Sequence, residues 1–205
     1  MKSNFVILLF LAVAVYGCGS GRMIGTSQNG ETRLIQAVPE KKPEWVESSK
    51  TFWHDESHKV YHIVGFKPDQ PTVGGLGSEE AQADAVINLA QRIQTFANTR
   101  FGSIETTGSS GYRTLADLLV SMITRNIQLS LTMTERYWEE WQISNGGEIK
   151  YVYNIYTLND ISDNDLQRAV DAAVAGSKQK VEDPELRNRL DQFEKDVMQD
   201  LNNQR

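Results

Sequence analysis

Two alternating runs that meet across a glycine-containing break constrain this chain more than any other feature. From Ile127 the apolar residues Ile127, Leu129, Leu131 and Met133 alternate with Gln128, Ser130, Thr132 and Thr134, and the pattern resumes through Tyr137, Trp141 and Ile143. It breaks at Asn145-Gly146-Gly147 and returns as Ile149, Tyr151, Tyr153 and Ile155. A period of two puts alternate side chains on one face of a pleated strand, so the runs predict a hairpin with one buried face. A three-residue turn pairs Ile143 with Ile149, Trp141 with Tyr151 and Tyr137 with Ile155 on one face. A two-residue turn sets apolar against polar, so register favours the longer turn.

The elements around the hairpin divide between another strand and several helices. Residues Lys59 to Phe66, KVYHIVGF, are rich in β-branched and aromatic residues and predict a strand. The stretch Lys67 to Gly77 carries Pro68, Pro71, Gly74, Gly75 and Gly77 and predicts a loop. Ser78 then reads as an N-cap with Glu79 and Glu80 in the first turn, and Ala81, Ala85, Leu89, Ile93 and Phe96 form one apolar helical face reaching about Arg100. Between helices, Gly102 to Gly111 reads as loop with a short strand near Ile104. Thr114-Leu115-Ala116-Asp117 has capping-box spacing and opens a second helix that buries Leu115, Leu118, Leu119 and Met122. After Leu158, residues Leu166, Val170, Ala173 and Val174 share a helical face. Asp183-Pro184-Glu185 starts a last helix with the stripe Leu186, Leu190, Phe193, Val197 and Leu201. That stripe is too short for an independent coiled coil, so it is expected to pack on the parent domain. The fold expected is α+β: a small antiparallel sheet of three to four strands packed against two helices, with a C-terminal helical extension.

The N-terminus speaks about location. One cation, Lys2, precedes an apolar run from Phe5 to Val15 that is shorter than the ~20 residues of a membrane span and has the layout of a secretory signal. Cys18, the only cysteine of the chain, lies where such a signal would be cut, after Val15-Tyr16-Gly17. A lone thiol in an oxidising compartment has no disulfide partner, which favours a capped cysteine. Removing residues 1–17 takes away one cation and moves the formal charge from −6 to −7. An acidic chain without a basic block argues against nucleic acid and anionic head groups as partners. From Cys18 to 43 no apolar period is visible, and the segment reads as a flexible tether whose 25 residues beyond the cysteine span roughly 28 Å. The division expected is 1–17 signal, 18–43 tether, 44–160 folded domain and 161–205 C-terminal helices.

Sites for chemistry are few. His54, His58 and His62, all the histidines present, recur every four residues, which on a helix would stack three imidazoles for a metal. The segment reads as strand instead, and on a strand His58 and His62 lie about 13 Å apart, too far to share an ion. His54-Asp55-Glu56-Ser57-His58 misses the zinc-protease motif at its second position and lacks the helix that motif needs. Gly74-Gly75-Leu76-Gly77-Ser78 fails both phosphate-loop fingerprints, and Gly108-Ser109-Ser110-Gly111 is not a nucleophile elbow. Glu135, Glu139 and Glu140 flank the hairpin and offer the carboxylates from which a glycan-acting pair would be drawn. The reading is no catalytic residues, no cofactor and no metal. The feature with functional content is aromatic: Trp45 and Trp53 near the domain start, and Trp138, Trp141, Tyr151 and Tyr153 in the hairpin. Trp138 and Trp141, three apart, point to opposite faces of a strand, so one of them marks a candidate partner surface together with Tyr151 and Tyr153.

The Cys18 cleavage context resembles the lipobox of bacterial lipoproteins. Together with Pro43-Glu44-Trp45-Val46, the strand Tyr61-His62-Ile63-Val64-Gly65, the alanine-rich helix and the strand Tyr151-Val152-Tyr153, it makes residues 43–160 similar to the LPP-twenty lipoprotein family. The resemblance implies lipid attachment, including palmitate, at Cys18, a compact α/β domain, and an envelope protein without catalytic residues. Some members of that family associate with the flagellar base or the outer-membrane sheath. Gly19 after the cysteine, where Asp would favour inner-membrane retention, implies the outer membrane. The function expected is a non-enzymatic binding or assembly module with an envelope protein or a second copy as partner; the alternative is a peptidoglycan-binding or glycan-acting factor using the hairpin.

Overall fold

The computed structural model describes residues 23–27, 30–105 and 114–203, and Cys18 and Gly108–Gly111 lie outside them. The fold is α+β. Its strands are β1 (Met23–Ser27), β2 (Gly30–Val38), β3 (Phe52–Asp55), β4 (Val60–Gln70), β5 (Thr132–Asn145) and β6 (Glu148–Ser162). They form one antiparallel sheet in the order β1-β2-β5-β6-β4-β3. The helices are α1 (Glu44–Glu47), α2 (Gly75–Phe101), α3 (Leu115–Ser130), α4 (Asp163–Lys178) and α5 (Pro184–Asn203). Helix α2 packs on β4 and β6, α3 on α2 and α4, and α5 on α2 and α4.

Close approach of α2 to the sheet depends on Gly65: a Cβ there would stand 1.8 Å from the carbonyl oxygen of Ala81. The core between the layers holds Tyr61 and Ile63 of β4, Leu89 and Ile93 of α2, and Leu119 and Ile123 of α3, each no more than 1% exposed. The last helix belongs to this core. Leu190, Phe193, Val197 and Leu201 are at most 1% exposed, and the Phe193 ring meets Phe96 and Phe101 at 5.5 and 5.6 Å. It packs on the parent domain, as its short stripe implies. Its N-terminus is capped by Asp183, whose carboxylate accepts the Glu185 amide at 2.8 Å.

Several expectations need correction. Residues 23–27 and 30–38, read as tether, form β1 and β2, of which β2 pairs with β5 from Glu31↔Ser144 to Val38↔Trp138, and β3 adds a further short strand; the sheet therefore exceeds the three or four strands expected. Helix α2 starts at Gly75, not after Ser78. Ser78 is buried in its first turns, where its hydroxyl accepts from Arg136 at 3.3 Å, and Glu80 pairs with Lys67 at 3.0 Å. The loop read from Lys67 loses its first residues to β4. Thr114 does cap α3, accepting from the Asp117 amide at 3.1 Å while Asp117 accepts from the Thr114 amide. That helix continues through Ser130, so Ile127 is a helical core residue and Leu129, in phase with it only at period two, is 84% exposed. Spacing Leu119, Ile123, Ile127 outweighs the short alternation because helical burial places all three in the core.

The hairpin turn is the two-residue one. Asn145 pairs with Glu148, and Gly146 and Gly147 take φ of 58° and 90°. Positive φ at both central residues gives a turn whose twist matches that of the strands, which outweighs the apolar pairing argument. Tyr137 then faces Tyr156, Trp141 faces Val152 and Ile143 faces Lys150. Ile149, Tyr151 and Tyr153 go to the other face, opposite Ser144, Gln142 and Glu140.

Candidate functional site

The register separates the hairpin into two unlike faces. On the face away from the main helices, Tyr137, Glu139 and Trp141 alternate along β5 beneath the segment that leads through Lys42 into α1. Glu139 is 5% exposed and collects three donors: Lys42 Nζ at 2.9 Å, the Tyr137 hydroxyl at 3.0 Å and Trp141 Nε1 at 3.1 Å. A buried carboxylate needs such partners. Lys42 also lies 5.6 Å from the centroid of the Tyr156 ring and 5.8 Å from that of Tyr137. Burial, reinforced by the Glu139 charge, pushes the Tyr156 hydroxyl up to about 12 and raises that of Tyr137 further. One strand position further, Trp45 Nε1 of α1 donates to Glu135 at 2.7 Å. This face is closed by polar contacts that fix where the N-terminal segment crosses.

The opposite face carries Trp138, Glu140, Tyr153, Tyr151 and Ile149. Towards the base of the hairpin it lies under α2, where Ile155 is buried; towards the tip it extends past that cover, leaving Tyr151 50% and Ile149 56% exposed. Trp138 meets Tyr153 edge to face at 5.8 Å. The Tyr153 hydroxyl donates to Glu140 at 3.1 Å, and that hydrogen bond raises the tyrosine above its ordinary ionisation range. Ile35, at the irregularity between Leu34 and Gln36, and Val38 are also exposed beside β5. Thus the structure brings Trp138, Tyr151 and Tyr153 together, while Trp141 belongs to the Glu139 face. Aromatic anchors in a partly exposed apolar patch with a polar tip are suited to contact with a partner.

The glutamates do not make a pair for glycoside cleavage. Glu139 and Glu140 point to opposite faces, and Glu135 and Glu139, on one face, are about 13 Å apart along the strand at ~3.3 Å per residue, beyond the separation such chemistry uses. Each is also engaged: Glu135 by Trp45, Glu139 by Lys42 and Glu140 by Tyr153.

The histidines go to three carboxylates. His54 Nε2 meets Asp163 at 2.9 Å, His58 Nδ1 meets Asp55 at 2.7 Å and His62 Nδ1 meets Asp160 at 2.7 Å. His58 lies in the β3–β4 turn rather than in the strand as read, and the Asp55 hydrogen bond and charge raise its pKa. The Ser57 hydroxyl, then His58, hold the Asp55 carboxyl well below the usual range. Among the described residues no group of three or more His, Cys, Asp or Glu is placed to hold a metal ion. No helix among them is long and apolar enough to cross a membrane.

No family model, curated protein or solved structure matches the chain.

Proposed function

We propose that this chain is a bacterial envelope lipoprotein of the LPP-twenty type, anchored in the outer membrane by acyl chains on Cys18, and that its domain is a non-enzymatic binding or assembly module. The observation that carries the binding role is the uncovered hairpin tip, where Tyr151 and Ile149 stay about half exposed beside Tyr153 and Trp138. Isolated exposed apolar residues are ordinary, but two on one face of a hairpin tip, backed by half-buried Tyr153 and Trp138, make the kind of surface that marks a protein contact. Two or more acyl chains hold a protein at the bilayer without a membrane-binding surface on the domain, which frees this patch for a protein partner or a second copy. A flagellar or sheath assembly is the setting the family likeness suggests.

The test separates anchor from contact. Radiolabelled palmitate should enter the full chain and not the Cys18→Ser variant, which should also leave the outer-membrane fraction. Chemical crosslinking in cells, followed by detergent extraction and mass spectrometry, should give a discrete adduct that Ile149→Ser with Tyr151→Ser removes while Cys18 labelling persists. Label in the Cys18→Ser protein, or adducts indifferent to the hairpin changes, would overturn the corresponding half of the reading.

A further inference from the structure

A second surface lies at the β3 edge of the sheet. A groove of about 870 Å³ follows that strand, walled by residues 49–57 with Arg92 of α2 and Asn202 of α5. A cleft of about 310 Å³ between Trp45 and Trp53 shares Lys50 and Trp53 with it. Another of about 240 Å³ on the α2 side shares Thr51 and Arg92 and adds Gln91. The groove shares a wall with the cleft at Lys50 and Trp53, and with the third cavity at Thr51 and Arg92, where the guanidinium donates to the Thr51 hydroxyl at 3.2 Å.

Both indoles at one end are held by other parts of the protein. Trp53 stacks on His62 with centroids 4.9 Å apart, and His62 is fixed by Asp160 at 2.7 Å. Trp45 is fixed through Nε1 by Glu135 at 2.7 Å. Rings ordered before binding lose little freedom when a ligand arrives. Farther along the groove, Asn202 accepts from the Tyr61 hydroxyl at 2.6 Å, which orients its amide. Lys50, exposed, lines both larger cavities, with Glu44 beside it in the cleft and Asp55, Glu56 and Arg92 farther along the groove.

We infer that this groove and the cleft beside it bind an oligosaccharide, with Trp45 and Trp53 stacked on pyranose rings, Asn202 hydrogen-bonded to sugar hydroxyls, and Lys50 favouring a carboxylate-bearing sugar. Flat apolar faces spaced along a polar, open channel match a polymer whose rings are apolar on their faces and hydroxylated at their rims. Strand addition by a peptide is the competing use of a sheet edge. β3 is only 4 residues long, ends in Asp55 and is followed by Glu56, and short charged edges resist such pairing. This site is independent of the hairpin surface, so either can fail without the other.

Calorimetry on the full chain in detergent tests it with two probes: chitotetraose, which is neutral, and a tetrasaccharide of alternating N-acetylglucosamine and N-acetylmuramic acid, which carries carboxylates. Both should bind, the second up to about 5-fold more tightly, as one ion pair near a surface allows. Trp53→Ala should weaken both by about 10-fold or more. Lys50→Gln, a change at an exposed side chain that leaves the fold intact, should erase the difference between the probes without altering chitotetraose. Tyr151→Ser should change neither. Absence of saturable binding by both probes, an unchanged preference in Lys50→Gln, or binding lost on Tyr151→Ser would overturn the assignment, as would displacement of the sugars by an extended peptide that pairs with β3.

Discussion

Along β5, successive residues face two environments of opposite character. Tyr137, Glu139 and Trp141 are roofed by the segment around Lys42 and α1, and the buried carboxylate is satisfied by three donors. Trp138, Glu140 and Tyr153, half-buried, lead along the other face to Tyr151 and Ile149, which are exposed past the end of the helical layer. Composition does not distinguish them, since both are aromatic residues around a glutamate. The difference comes from coverage, and coverage comes from a segment far away in sequence. A sealed aromatic face contributes to stability; an unsealed one is available for recognition.

The largest effect should come from opening the sealed face. Glu139→Ala leaves the Tyr137 hydroxyl, Trp141 Nε1 and Lys42 without their acceptor, and should lower stability by about 3 kcal/mol in denaturant unfolding. The figure sits at the low end for a buried pair because Lys42, 36% exposed, can return to water. Next comes the turn that assigns the faces. Gly147 has φ of 90°, so Gly147→Val should cost about 1–2 kcal/mol and release hydrogen-exchange protection at the hairpin tip before the base.

A pH titration sharpens the contrast further. Tyr156 keeps its proton in the folded chain up to about 12, above the ordinary value of 10.0, so between those values the native state binds more protons than the unfolded one. Its contribution to stability is complete below 10.0 and is lost as pH climbs through about 12. Glu139→Gln removes the neighbouring negative charge and should move the Tyr156 transition down, measured by ultraviolet absorbance; a transition that stays in place would deny the coupling. The smallest effect on stability belongs to the open face: Tyr151→Ser should stay within about 0.5 kcal/mol while removing the crosslinked adduct.

Local signals were legible where they close on themselves. The Thr114–Asp117 capping box and the Asp183-Pro184 start each lie within one helical turn, and both helices begin there. The opposite orientation of Trp138 and Trp141 follows from strand period alone. What was hidden depends on distant partners. Residues Gly30–Val38 become a strand because β5 offers them hydrogen bonds from a hundred or more positions away, and no apolar period announces it. Ile127-Gln-Leu-Ser-Leu fits both periods, and burial of Ile123 and Ile127 against the other helices decides for helix. Asn145-Gly146-Gly147 supports either turn length; backbone twist, which side-chain pairing does not show, selects the shorter. The roof over Glu139 was equally invisible, because Lys42 and Glu139 are 97 residues apart.

The difference between the hairpin's exposed tip face and its closed face should show in what each can touch. Site-specific photocrosslinking in cells addresses it directly, with a benzophenone side chain placed at Tyr151 in one strain and at Trp141 in another. A discrete intermolecular adduct is expected from position 151 and only unshifted monomer from position 141. Equal adducts from both positions, or an adduct from 141 alone, would contradict it.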